Sequence, residues 1–170
     1  MYFFSRYEDA VNAVKQINEE MGKAVYTLDI YGQVDTGQSQ WFDDLKASFP
    51  SYVNYCGVVN YDKSVDVLKD YFALLFPTHY YTEGIPGTII DAYAAGVPVI
   101  AAKWESYSDI IDYRTGIGYG FWSENGLKEN LLKIVNIPAM LLDKKLQCLV
   151  EAERYKPENV VGILIERMER

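Results

Sequence analysis

A chain of 170 residues suits one domain, which at that size buries about 70% of the surface its unfolded form exposes and needs no disulfide or metal. Its 24 acidic against 16 basic residues leave a net charge of −8, which excludes nucleic-acid binding, since that rests on clustered lysine and arginine. No apolar run reaches the ~20 residues that cross a bilayer, and the start M-Y-F-F-S-R-Y-E is not a secretory leader, so a cytoplasmic protein is expected. The two cysteines, Cys56 and Cys148, have no further Cys or His at metal-ligand spacing and read as buried, reduced thiols.

Taken in chain order, short apolar, β-branched or aromatic runs alternate with segments of helical period. Strands are predicted at 2–5, 25–31, 52–56, 72–76, 97–101 and 118–121. Helices fall between them at 8–21, 40–48, 64–71, 86–95 and 107–111. Past residue 123 the pattern turns wholly helical, at 124–135, 138–155 and 157–168. This alternation predicts an α/β fold: a Rossmann-like, doubly wound parallel sheet of about six strands with helices on both faces and a helical C-terminal tail, residues 1–170 forming a single domain.

In such sheets ligands gather beyond the carboxyl ends of the strands. The residues there are Arg6 after the first strand, Gly32 and Gln33 after the second, Gly57 after the third, 79–87 after the fourth, and Lys103 and Trp104 after the fifth. The fourth loop carries most of the information. Residues 83–101 read E-G-I-P-G-T-I-I-D-A-Y-A-A-G-V-P-V-I-A. Pro86 suits the first helical position, where its missing N–H has no partner, and Gly87 leaves room for a ligand near the backbone. The free amides and positive dipole end of that helix favour an anion, most often phosphate. Gly96 and Pro98 then stop the helix.

Glu83 lies before the helix and Asp91 inside it, so the two carboxylates can hold opposite ends of one ligand by accepting hydrogen bonds from hydroxyl pairs. The bland alternative is that both acids decorate a helix start, where the dipole favours them. His79, the single histidine, stands beside Tyr80 and Tyr81 and reads as packed rather than catalytic; either tyrosine could wall a pocket. The run G-I-G-Y-G at 116–120 opens no helix and reads as a turn into the last strand, and neither a phosphate-binding G-x-x-x-x-G-K-[ST] loop nor a G-x-S-x-G elbow is present. Asp43 and Asp44 read as a solvated helix face, and with no Asp-x-Asp cluster no metal is expected.

The E-G-I-P run, the A-A-G turn and the P-V-I-A strand stand together in the order and spacing of the retaining glycosyltransferases of family 4 (glycosyl transferases group 1), and the chain resembles their C-terminal, donor-binding domain. The resemblance implies transfer of a sugar from a nucleoside diphosphate sugar to an acceptor hydroxyl, with retention and without a cofactor. It assigns Glu83 to the donor sugar and Asp91, which replaces the usual second glutamate, to the ribose. Gly84, Ile85, Pro86, Gly87 and Thr88 would line the diphosphate, with Gly32 nearby. Arg6, in F-F-S-R, resembles the arginine that stabilises the departing diphosphate, and Glu83 and Arg6 are the catalytic candidates. The usual Lys-Gly pair after that arginine is absent, and Lys15 stands too far along the first helix to replace it. In place of the family's glycine-rich turn and Glu-Ile pair the chain has W-E-S-Y-S-D-I-I, with Asp109 at the acid's position.

Such enzymes pair two α/β domains in the GT-B arrangement, and the present residues account for the donor half. Three situations fit: a fragment, one part of a split enzyme completed by a separate acceptor-domain polypeptide, or a vestigial module that binds a nucleotide or its sugar without turnover. Each implies that the isolated chain is inactive, because the closed cleft that excludes water needs both halves. Bacterial polysaccharide biosynthesis is the setting that the resemblance suggests.

Overall fold

A computed structural model describes residues 7–168. The strand expected at 2–5, and Arg6, lie outside the described residues. Within them five strands form two parallel sheets, fewer than the six expected. β1 (Leu28–Tyr31) lies beside β2 (Val53–Gly57), and β3 (Leu74–Phe76), β4 (Val99–Lys103) and β5 (Gly116–Gly120) pair in that order. Every pairing is parallel, as crossover through helices requires.

The period of two along a strand sends its side chains to opposite faces, and both faces here are covered. Leu74, Phe76, Val99 and Ala101 join Ile89, Ala92 and Tyr93 of α4 (Gly87–Ala94) and Cys148 of α8 (Lys145–Ala152). Leu75, Ile100 and Ile117 point the other way, to α1 (Tyr7–Glu20) and α6 (Gly126–Asn136). On α1 the buried residues Ala10, Ala13, Val14 and Ile17 fall at i, i+3, i+4 and i+7, one stripe of a 3.6-residue repeat. Tyr93, Ile89, Ile17 and Val99 are shut off from solvent, and burying each aliphatic side chain is worth about 1.5–3 kcal/mol. A smaller cluster around Ile30 and Val53 supports β1 and β2, and α2 (Ser39–Ala47) lays Phe42 against Tyr55 with ring centroids 4.7 Å apart.

The remaining helices are α3 (Ser64–Leu68), α5 (Tyr107–Ile110), α7 (Ala139–Leu142) and α9 (Pro157–Met168). Several bounds differ from expectation for local reasons. β1 starts three residues late because Asn18 of α1 takes the preceding backbone: its Oδ1 accepts from Val25 and Tyr26 at 2.8 and 3.0 Å, and its Nδ2 donates to the Tyr26 carbonyl at 2.8 Å. The helix expected over 138–155 is broken at 143–144, where the Lys144 amide turns back to the Leu141 carbonyl at 2.9 Å.

The glycines at 116–120 form β5 itself rather than a turn into it. A Cβ at Gly116 would stand 2.5 Å from the Val99 carbonyl oxygen, and one at Gly118 would stand 2.6 Å from the Tyr107 ring. The strand is glycine-rich because neighbouring groups cross it closely. Cys148 is buried, but Cys56 is exposed, against expectation: it alternates with Val53 and Tyr55, which face the core, and so points to the opposite, open side of β2.

Candidate functional site

The loop after β3 is set by a few backbone bonds. Thr78, buried, accepts from the Tyr80 amide at 3.1 Å, the Glu83 amide closes a turn onto the Tyr80 carbonyl at 3.2 Å, and the Glu105 amide donates to the Tyr81 carbonyl at 2.9 Å. The turn therefore hangs between β3 and the loop after β4, with Glu83 half-buried at its end.

Helix α4 begins at Gly87, one residue later than expected. Pro86 is its N-cap, with extended φ −72° and ψ 122°, and its carbonyl takes the Ile89 amide at 3.0 Å. Proline has no side-chain acceptor to fold back as a cap, so the amides of Gly87 and Thr88 have no protein partner among the described residues. The backbone on either side is open among the described residues: a Cβ built on Gly84 or on Gly87 meets no atom within 4 Å, and Ile85 between them is 59% exposed. An open helix tip with two free N–H groups and the positive end of the backbone dipole is suited to an anion.

The far end of α4 is closed tightly. Gly96 takes φ +69°, its amide reaches the Tyr93 carbonyl at 2.9 Å, and the Val97 amide reaches the Ala92 carbonyl at 2.8 Å. This paired closure needs a left-handed residue, and glycine adopts that conformation without a steric penalty.

Asp91 is half-buried on α4, and its Oδ2 accepts a 2.6 Å hydrogen bond from Ser64 Oγ at the start of α3. That bond ties the loop beyond β2 to the helix beyond β3. One carboxylate oxygen is thus held by protein, and the other has no hydrogen-bond partner among the described residues. Ser64 went unnoticed in the sequence, where it is one of several serines at helix starts.

Gly32 follows β1 with φ +142°, and both of its polar groups are engaged: its amide donates to the Gly57 carbonyl at 2.9 Å and its carbonyl accepts from Tyr55 Oη at 2.7 Å. An added Cβ would lie 2.9 Å from Tyr7 Oη. The turn is packed by Tyr7 and Tyr55, and its amide is already spent inside the protein. The structure thus brings together Glu83, Gly84, Ile85, Pro86, Gly87 and Thr88 on one segment, with Asp91 further along the same helix.

His79 Nε2 lies 2.6 Å from Asp9 Oδ2, which fastens the loop to the first turn of α1. Its ring stands 6.3 Å from the buried ring of Phe121. Tyr107 crosses β5 near Lys103, and burial pushes its hydroxyl up to about 12, so it stays neutral. Asp43 and Asp44 are exposed on α2, and Lys15 is exposed on α1. No group of three His, Cys, Asp or Glu side chains among the described residues is placed to hold a metal ion, and no described helix is long and apolar enough to cross a membrane.

The sequence model of the glycosyl transferases group 1 matches residues 4–136, most of the chain and all of the segment just described. The chain belongs to that family. No curated protein matches it closely enough to count as a relative. Among solved structures, this family member superimposes on an Anabaena protein, Alr3699/HepE, in complex with UDP and glucose, at 12% identity and a TM-score of 0.81, covering 98% of this chain and 45% of that one. It also matches sucrose-phosphate synthase from Thermosynechococcus elongatus at 19% identity and a TM-score of 0.76, covering 96% and 41%. The pneumococcal O-GlcNAc transferase GtfA in complex with UDP and GlcNAc matches at 18% identity and a TM-score of 0.74, covering 97% and 33%. The fold is the Rossmann-like one of GT-B glycosyltransferases, and the chain spans a third to under a half of each of these proteins.

Proposed function

We propose that this chain is the donor-binding half of a retaining glycosyltransferase that moves a sugar from a nucleoside diphosphate sugar to an acceptor hydroxyl once an acceptor domain completes the cleft. The observation that carries the reading is the tip of α4: two amides without a partner among the described residues, bare glycines at 84 and 87, and carboxylates at Glu83 and Asp91 along one segment. Several of the similar solved structures carry UDP with a sugar or UDP-glucose, which supports a nucleotide sugar as the ligand.

In this reading the diphosphate caps α4, Glu83 accepts from donor-sugar hydroxyls and Asp91 accepts from the ribose with its remaining oxygen. As the bond from the anomeric carbon to phosphate lengthens, charge builds on the leaving diphosphate. The amides of Gly87 and Thr88 already point where that charge develops, so they stabilise it without reorganising, and Arg6 would add a guanidinium. No metal is invoked. The acceptor presents its hydroxyl in the cleft that the completing domain closes; that domain could be a separate polypeptide, and the setting is the cytoplasm.

A second reading is a module that binds the nucleotide or its sugar without turnover. It draws support from the Ser64 bond that already occupies one oxygen of Asp91. Calorimetric titration with UDP and UDP-sugars tests the shared ligand. Glu83→Ala should weaken the sugar nucleotide more than the bare nucleotide, and Asp91→Ala should weaken both. Identical affinities in all three proteins would remove both acids from the site. Sugar transfer after mixing with an acceptor-domain polypeptide then separates enzyme from module.

A further inference from the structure

Beside the donor loop lies an aromatic cluster that the reading above does not use. Phe121, the first residue past β5, is buried and acts as its hub. Tyr81 packs against it at 5.1 Å and Trp122 at 4.7 Å, with ring planes inclined by 76° and 87°. Perpendicular packing leaves much of each outer ring in solvent: Trp122 is 82% exposed and Tyr81 46%; Tyr80, next to Tyr81 in the chain, is 55% exposed.

These rings are not on floppy segments. Trp122 sits at the tip of a turn closed by the Ser123 amide on the Gly120 carbonyl at 2.9 Å. Tyr80 and Tyr81 sit in the turn that ends at Glu83, itself pinned by Thr78 and Glu105. Rings fixed on tight turns bind at little entropic cost, having two torsions each and a backbone already in place.

The surrounding charge selects the ligand. Glu83 ends one turn, Glu105 anchors it, and Glu124 follows Trp122 by two residues; Glu105 and Glu124 are exposed. The carboxylates beside the rings accept from hydroxyls and repel anions locally, so a flat partner rich in hydroxyls suits the patch. A pyranose offers an apolar C–H face to a ring and hydroxyls around its rim.

We infer that Tyr81 and Trp122, braced by Phe121, with Tyr80 next to Tyr81 in the chain, form a shelf for a neutral saccharide, the ring of the acceptor, next to Glu83. The inference rests on the sugar-transfer reading for calling that saccharide the acceptor, while the shelf's preference for a neutral carbohydrate rests on its own rings and acids.

Tryptophan fluorescence tests it. Trp104 is 2% exposed and Trp41 39%, so in a Trp41→Phe background acrylamide quenching reports chiefly on Trp122. Neutral oligosaccharides of hexoses and of N-acetylhexosamines should shield Trp122 saturably, with dissociation constants in the millimolar range. Tyr81→Ala should weaken this roughly tenfold. By saturation-transfer NMR, Trp122→Ala should lose the saccharide signal and Trp122→Tyr should keep it.

Absence of shielding by every saccharide, shielding by UDP alone, or shielding that grows with protein concentration would each overturn the shelf, the last by showing that a second copy covers it. Calorimetry with UDP on the same preparation keeps the two proposals separate. Intact nucleotide binding with no saccharide effect sinks only the shelf. A saccharide effect without nucleotide binding sinks only the donor reading.

Discussion

Replacing Gly87 by alanine separates what the fold needs at the tip of α4 from what a ligand needs there. Gly87 is the first residue of the helix, its φ lies outside the left-handed region, and a Cβ built on it meets no atom within 4 Å. Alanine therefore adds no clash, and it removes conformational freedom from the unfolded chain. A gain of about 0.4–1 kcal/mol is expected, which at this size raises Tm by roughly 1–4 °C.

The same methyl group would project toward the space that the proposed reading gives to the diphosphate. Pushing one phosphate oxygen off a charge-assisted N–H bond costs about 1.5–3 kcal/mol, or roughly 10- to 100-fold in affinity. Thermal unfolding with and without UDP, together with calorimetry, reads both effects on one protein. The expected outcome is higher stability without ligand and a much smaller ligand-induced rise in Tm. Unchanged UDP affinity in the stabilised variant would refute the assignment of the α4 tip to phosphate. Lower intrinsic stability would refute the open geometry from which the assignment starts.

The opposite end of the same helix should respond with the opposite sign. Gly96→Ala forces an L-residue into φ +69° and brings its Cβ to 3.3 Å from Leu149, so it should destabilise by about 1–2 kcal/mol, measured by urea unfolding. Burial pushes the Cys148 thiol up to about 12, whereas Cys56 is exposed; iodoacetamide at pH 8 should label one cysteine in the native protein and two in denaturant, the first being Cys56 by peptide mapping. Partial burial pushes the Asp112 carboxyl up, but its hydrogen bonds to the Arg114 side chain and amide outweigh that and hold it below the usual carboxylate range. With the folded value depressed, its contribution is complete above the unfolded value of about 4 and is lost as pH falls through the folded one, so Asp112→Asn should flatten part of the acid limb of the stability profile below pH 4.

Local signals in the chain were enough for the class of fold and for the bounds of the segment proposed to carry the site. Strand and helix periods, the Pro-Gly start and Gly-Pro stop of α4, and the acids at 83 and 91 depend on neighbours within a few residues, where backbone sterics and hydrogen bonding act directly. Each can be read along one dimension. What touches what across the fold depends on groups far apart in sequence. Asn18 shortens β1 by capturing the strand's approach, Ser64 claims an oxygen of Asp91, Tyr55 and Gly57 occupy the polar groups of Gly32, and Tyr107 dictates a glycine at 118. The aromatic shelf is of the same kind, because Tyr81 and Trp122 become neighbours only when β3 and β5 are brought beside β4 and Phe121 is packed between their loops. Sequence alone could settle where a helix opens; only packing could decide which of its surrounding groups were left free, because a hydrogen bond spent inside the protein is unavailable to a ligand.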